Sequence, residues 1–149
     1  DAIAAALAPL CDDLDVPDEP TLIETPAVWH LATPITGTLR DSATTALDLA
    51  LALHPTPAVA GSPTDLALRT IDLVESGRSR DFYAGAVGLC DAAGDGEWMV
   101  AIRCLDIAAD GKSGVATAGG GIVADSDPDA ELDETTAKFA TVLAPFGLA

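Results

Sequence analysis

At 149 residues the chain is long enough for one core and short for two domains, so residues 1–149 are read as one folding unit or as part of a larger one. Apolar residues make up 49% of it, yet no run approaches the roughly 20 uninterrupted apolar residues of a membrane-spanning helix. The formal charge of −17, from 24 acidic residues against seven Lys and Arg, argues against nucleic acid and against an anionic membrane surface as partners.

The first residues, Asp1-Ala2-Ile3-Ala4-Ala5-Ala6-Leu7, have no basic segment ahead of the apolar stretch and no initiating Met. The expectation is no secretory signal, and a processed or truncated product. Ile3, Leu7, Leu10 and Leu14 recur at helical spacing and predict a helix over 2–14, ended by Asp12, Asp13 and Asp15 and then by Pro17 and Pro20. Residues 27–33 predict a strand, broken by Pro34 and Gly37. A second helix is expected over 41–53, capped by Asp41 or Ser42 and ended before His54-Pro55-Thr56-Pro57. Ser62-Pro63 offers a cap and a first-turn proline for a third helix that runs to Ser76.

From Tyr83 onward the pattern changes to strands over 82–90, 97–107 and 113–119. They are joined by Ala92-Ala93-Gly94-Asp95-Gly96 and Ala109-Asp110-Gly111-Lys112, turn sequences that suit an antiparallel meander. A last helix is expected over 129–146, with Leu132, Phe139, Val142 and Leu143 toward a core. The fold class is therefore α+β, an antiparallel sheet with helices packed outside it. Cys11, Cys90 and Cys104 lack the CxxC spacing of a zinc site and read as reduced thiols of a cytoplasmic protein.

The chemistry concentrates near the end of the chain, where Ala118-Gly119-Gly120-Gly121 leads through Asp127-Pro128 to Glu131, Glu134 and Lys138. A helix turns about 100° per residue, so these three side chains share one stripe. Two readings stand. Glu134 and Lys138 form an i, i+4 salt bridge on a solvated face, or Glu131 and Glu134 offer hard oxygens to Mg²⁺ beside a turn whose glycines admit a ligand close to the backbone. Arg103, in the apolar run Val100-Ala101-Ile102-Arg103-Cys104-Leu105, reads as a strand residue that pairs with an internal carboxylate or with an anionic ligand. Tyr83 is a packed ring or a hydroxyl for the same anion. His30 reads as a structural histidine of the first strand, and His54 serves a turn or borders a site. No GxSxG, P-loop or dinucleotide fingerprint occurs.

Five ordered blocks together resemble the chorismate-binding enzymes, which include isochorismate, salicylate, anthranilate and aminodeoxychorismate synthases. They are residues 28–37 (Val-Trp-His-Leu-Ala-Thr-Pro-Ile-Thr-Gly), 53–63 (Leu-His-Pro-Thr-Pro-Ala-Val-Ala-Gly-Ser-Pro), 82–88 (Phe-Tyr-Ala-Gly-Ala-Val-Gly), 100–103 (Val-Ala-Ile-Arg) and 118–138. His54 and Ala58 make the second block most similar to isochorismate synthases. In the third, this chain reads Arg80-Asp81 where the family often has Arg-Gly.

The resemblance implies Mg²⁺-dependent isomerisation of chorismate to isochorismate, a compound that feeds both menaquinone and siderophore pathways. It implies Glu134 as a direct Mg²⁺ ligand, Glu131 acting through a bound water, and Lys138 beside the metal and the ring carboxylate. Tyr83, Arg103 and the Gly119 backbone would clamp the enolpyruvyl carboxylate, with His30 and Ala58 lining the reacting ring. Family members are longer, and their acid, base and a further metal-binding glutamate lie ahead of the position of Asp1. The expectation is that residues 1–149 are the C-terminal part of such a domain, inactive alone. The alternatives are a non-catalytic module that self-associates through open edges, and another chorismate-using enzyme such as salicylate or anthranilate synthase.

Overall fold

A computed structural model describes residues 2–24 and 29–148, with the backbone alone for Trp29 and His30. The chain divides into two compact units, one of residues 1–54 and 89–97 and the other of residues 55–88 and 98–149.

In the first unit, α1 (Ala2–Leu7) is followed by β1 (Cys11–Asp15), which pairs antiparallel with β4 (Thr36–Leu39). The expected helix over 2–14 thus stops at Leu7. Cys-Asp-Asp-Leu-Asp is a weak helix sequence, and Arg40 holds it as a strand. The Arg40 guanidinium donates to Asp12 Oδ1 at 3.0 Å and to the carbonyls of Pro9 and Cys11 at 3.0 and 3.1 Å. β2 (Thr21–Glu24) pairs with β3 (Trp29–Ala32), Ile23 standing opposite His30. Part of the strand expected over 27–33 lies outside the described residues; Trp29–Ala32 is that strand.

α2 (Ala46–Leu53) starts later than the expected residue 41. Asp41 caps a turn instead, accepting from the Ala43 amide at 2.9 Å. The helix is opened by a capping box in which the Thr45 amide donates to Asp48 Oδ2 at 2.9 Å and the Asp48 amide donates to Thr45 Oγ1 at 3.2 Å. Gly94 adds its carbonyl to the Ala46 amide at 2.9 Å, so a loop distant in sequence satisfies one more amide of the first turn. Thr45→Ala is therefore expected to cost about 1 kcal/mol in urea unfolding, with an unchanged m-value.

In the second unit, α3 (Pro57–Ala60) and α4 (Thr64–Val74) precede a turn-rich stretch. Pro63 is the N-cap of α4, and no side chain caps that end. β5 (Ala86–Cys90) and β6 (Gly96–Val100) form a hairpin whose tip, residues 89–97, is counted in the first unit. β7 (Cys104–Ile107) and β8 (Gly114–Thr117) form another. The expected meander is therefore two hairpins, and the strand expected over 97–107 is interrupted. Ala101 closes against the β5 side through Ala84 N to Ala101 O at 2.7 Å and Ala101 N to Gly85 O at 2.8 Å, and Arg103 takes a left-handed backbone with φ 56°.

The last helix, α5 (Pro128–Leu143), matches the expected element and ends in a 3-10 turn, Ala144–Phe146. Asp127 caps it, accepting from the Ala130 amide at 3.0 Å, and Pro128 supplies a preset first-turn φ. α5 packs against β8, with Val142 buried and Phe139 and Leu143 half-buried. Leu132, expected in a core, is exposed because it lies off that face. The α+β class with antiparallel strands holds throughout.

Candidate functional site

α5 packs against β8, and the glycine backbone that follows the strand lies beside Glu131 and Lys138 of the helix. Beyond Thr117 the chain runs through Ala118 into Gly119, Gly120 and Gly121. Ser126 then ties the approach to α5, its hydroxyl accepting from the Val123 amide at 3.1 Å and donating to Glu131 Oε1 at 2.5 Å.

Three side chains converge on the glycine backbone. A Cβ placed on Gly119 would stand 2.8 Å from the Tyr83 hydroxyl oxygen. One placed on Gly120 would stand 2.9 Å from Glu131 Oε2 and 3.7 Å from Lys138 Nζ. The absence of a side chain here permits close approach rather than a left-handed turn, and it matters more at Gly119, which faces a rigid phenol, than at Gly120, which faces the tips of flexible side chains. Around Gly121 there is open space. Lys138 donates to the Gly119 carbonyl at 3.1 Å and pairs with Glu134 Oε1 at 2.6 Å. The i, i+4 salt bridge read from the sequence is therefore present. It leaves the lysine largely covered and the glutamate 59% exposed, open to a second partner.

Tyr83 reaches Gly119 from a turn after α4. Its amide donates to the Arg80 carbonyl at 2.8 Å, and the Arg80 guanidinium lies over its ring, 5.5 Å from the centroid. Arg80 in turn bonds Glu75 through both guanidinium arms, Nε to Oε2 at 2.8 Å and Nη2 to Oε1. Hydrogen bonds from Arg80 hold the Glu75 carboxyl below its ordinary value, and the same bonds raise that of Arg80.

The remaining residues stand differently. Arg103 is half-buried at its left-handed bend. Among the described residues no carboxylate pairs with it, and no hydrogen bond or ion pair joins its side chain to the cluster around Gly119 and Lys138. Ala58 is exposed on the first turn of α3. His30 belongs to the first unit, in β3, and its side chain lies outside the described residues. Two contributors escaped the sequence reading. Ser126 was hidden in an ordinary helix approach, and the Glu75–Arg80 pair spans five residues with a left-handed Ser76 and Gly77 between them.

The donor set suits a hard divalent cation in part. Glu131 and Glu134 present carboxylate oxygens on one helix face, and Glu131 Oε2 occupies the space that a Gly120 side chain would fill. Among the described residues no group of three or more His, Cys, Asp or Glu stands ready to hold a metal. Two carboxylates alone would fill only part of a Mg²⁺ shell, and the other oxygens would have to come from water and an anionic ligand. Among the described residues no helix is long and apolar enough to cross a membrane.

Comparison with known proteins gives consistent matches. The family model for chorismate binding enzyme matches residues 1–147. MenF of Mycobacterium tuberculosis is 59% identical over 148 residues, which are 99% of this chain and 39% of MenF. The isochorismate synthase DhbC of Bacillus subtilis is 53% identical over 148 residues, 99% of this chain and 36% of that protein. A crystal structure of DhbC from Bacillus anthracis matches with a TM-score of 0.86 at 44% identity, covering 99% of this chain and 39% of that one. The chain spans well under half the length of these relatives.

Proposed function

The chain belongs to the chorismate binding enzyme family, and from that premise we propose that it is part of an isochorismate synthase, a Mg²⁺-dependent isomerase acting on chorismate. The observation that carries this reading is the convergence of the Tyr83 hydroxyl, Glu131 Oε2 and the Lys138 amine on the backbone of Gly119 and Gly120. A phenol donor and an amine suit carboxylates of the substrate, and the two glutamates suit the cation that accompanies them.

In this reading Glu134 is the direct Mg²⁺ ligand and Glu131 acts through a bound water. Bound there, Mg²⁺ supplies positive charge that neutralises and orients a substrate carboxylate. Lys138 stays on the Gly119 carbonyl and faces the ring carboxylate, while Tyr83, Arg103 and the Gly119 backbone hold the enolpyruvyl carboxylate. Arg103 has no carboxylate partner among the described residues, which suits a residue kept for an external anion. Ala58 lines the ring. Isomerisation adds water at C2 as the C4 hydroxyl leaves, one group taking a proton from the water and another giving one to the leaving oxygen. We place that proton-transfer pair in the length of the relatives that this chain does not span. The free thiols Cys11, Cys90 and Cys104 support a reducing, cytoplasmic setting.

The test is product analysis by chromatography with chorismate and Mg²⁺, on the 149-residue chain and on a protein of the relatives' full length that contains it. Isochorismate from the longer protein and none from the short chain is expected. Salicylate as the product, or anthranilate when ammonium is supplied, moves the assignment to another member of the family. Turnover by the short chain alone overturns the placement of the acid and base.

A second reading, a self-associating module, is favoured by one observation: large apolar side chains such as Leu73 and Ile122 are 80% and 72% exposed. Light scattering on the 149-residue chain separates the two. A discrete, concentration-independent dimer supports the module, and a monomer that gains activity with the rest of the enzyme supports the synthase.

A further inference from the structure

The turn that presents Tyr83 is unusual in its backbone. Asp81 and Ala84 both take left-handed conformations, with φ 47° and 63°, on either side of Phe82 and Tyr83. A segment with two non-glycine residues in that region persists only where its surroundings hold it. Its downstream end is fixed by the two backbone hydrogen bonds between Ala84, Gly85 and Ala101. Its upstream end is held locally by the Ser79 hydroxyl, which donates to Asp81 Oδ1 at 2.7 Å and accepts from the Asp81 amide at 3.1 Å, and is tied to the helix by the two-armed pair from Arg80 to Glu75, the C-cap of α4. Arg80 also lies over the Tyr83 ring, so the same guanidinium links the helix end to the phenol. The pair is partly covered, with side-chain exposures of 27% for Arg80 and 37% for Glu75, and its geometry is a planar fork on a carboxylate.

We propose that Arg80, anchored on Glu75, is a positioning residue that holds the Tyr83 hydroxyl against Gly119 and so sets affinity for the anionic substrate. This rests on the reading of Tyr83 as a contact to a chorismate carboxylate. Arg80 does not touch the substrate; it covers one face of the ring and, because the hydroxyl oxygen is rigidly attached to that ring, fixes where the hydroxyl stands. Lysine at this position keeps a cation for the ring but loses the fork to Glu75.

The experiment measures chorismate KM, kcat and dissociation constant in the longer protein for Arg80→Gln, Arg80→Lys, Glu75→Gln, Tyr83→Phe and the Arg80→Gln/Tyr83→Phe pair. Arg80→Gln is expected to raise KM and the dissociation constant by about 5–10-fold with kcat within about 2-fold, and Arg80→Lys to recover part of that loss. On the Tyr83→Phe background, Arg80→Gln is expected to add almost nothing, which a merely structural role would not produce. If Arg80→Gln does not fold, Glu75→Gln carries the same expectation in weaker form. Unchanged affinity in the foldable variants, or fully additive effects, overturns the positioning role while chorismate turnover stands. A parent protein that does not bind chorismate overturns both readings.

Discussion

Glu134→Ala is expected to leave the fold in place and remove most of the metal-dependent turnover of the longer enzyme, by about 100-fold or more at limiting Mg²⁺. The two readings of the helix stripe make opposite forecasts. If Glu134 serves only as the partner of Lys138, its loss removes an i, i+4 pair whose glutamate is exposed and whose lysine keeps another partner, costs about 0.5 kcal/mol, and leaves catalysis alone. If it is a ligand, the same substitution removes one of the two carboxylates that Glu131 and Glu134 offer to the cation. Lys138 is not stranded in the variant, because it retains the Gly119 carbonyl at 3.1 Å, so the loss cannot be assigned to a collapsed lysine. Mn²⁺ affinity by electron paramagnetic resonance gives a readout separate from activity. Metal affinity equal to that of the parent protein rejects Glu134 as a ligand.

Parts of this site were legible in the sequence because their physics is local. Asp127-Pro128 announces a helix start by a capping carboxylate and a preset φ, and the stripe of Glu131, Glu134 and Lys138 follows from the helical period alone. The glycine triplet signalled close approach, although the sequence does not tell which glycine meets which side chain. Gly119 meets Tyr83 from a turn 36 residues earlier, Gly120 meets Glu131, and Gly121 meets nothing within 4 Å. What failed was nonlocal. Ile3 to Leu14 carries a helical spacing, but residues 11–15 become a strand because their partner Thr36–Leu39 and the Arg40 clamp lie far along the chain. Arg103 looked like the middle of a strand by composition, yet its left-handed backbone divides that run into the ends of two hairpins.

Gly119→Ala is expected to raise the KM for chorismate by about 10-fold or more with little change in folding stability. The backbone at Gly119 is not left-handed, so alanine meets no conformational penalty there and the cost is steric. The new methyl carbon would stand 2.8 Å from the Tyr83 hydroxyl oxygen, inside ordinary contact distance. A long flexible side chain would retract its tip at little cost, but the tip of tyrosine is fixed to a rigid ring that Arg80 covers on one face. Either the ring swings away or the strand end shifts, and the second movement also strains the bond from Lys138 to the Gly119 carbonyl. Both displace groups assigned to the substrate carboxylates by a fraction of an ångström to about 1 Å, enough to cost an order of magnitude or more in a positioned reaction. Gly121→Ala is the matched control, since nothing stands within 4 Å of that position, and it should behave as the parent protein. On a Tyr83→Phe background the hydroxyl that the methyl collides with is gone, so Gly119→Ala should lose most of its remaining effect. An equal KM penalty with and without the hydroxyl would place the damage in the loop backbone and reject the clash with Tyr83 as its cause.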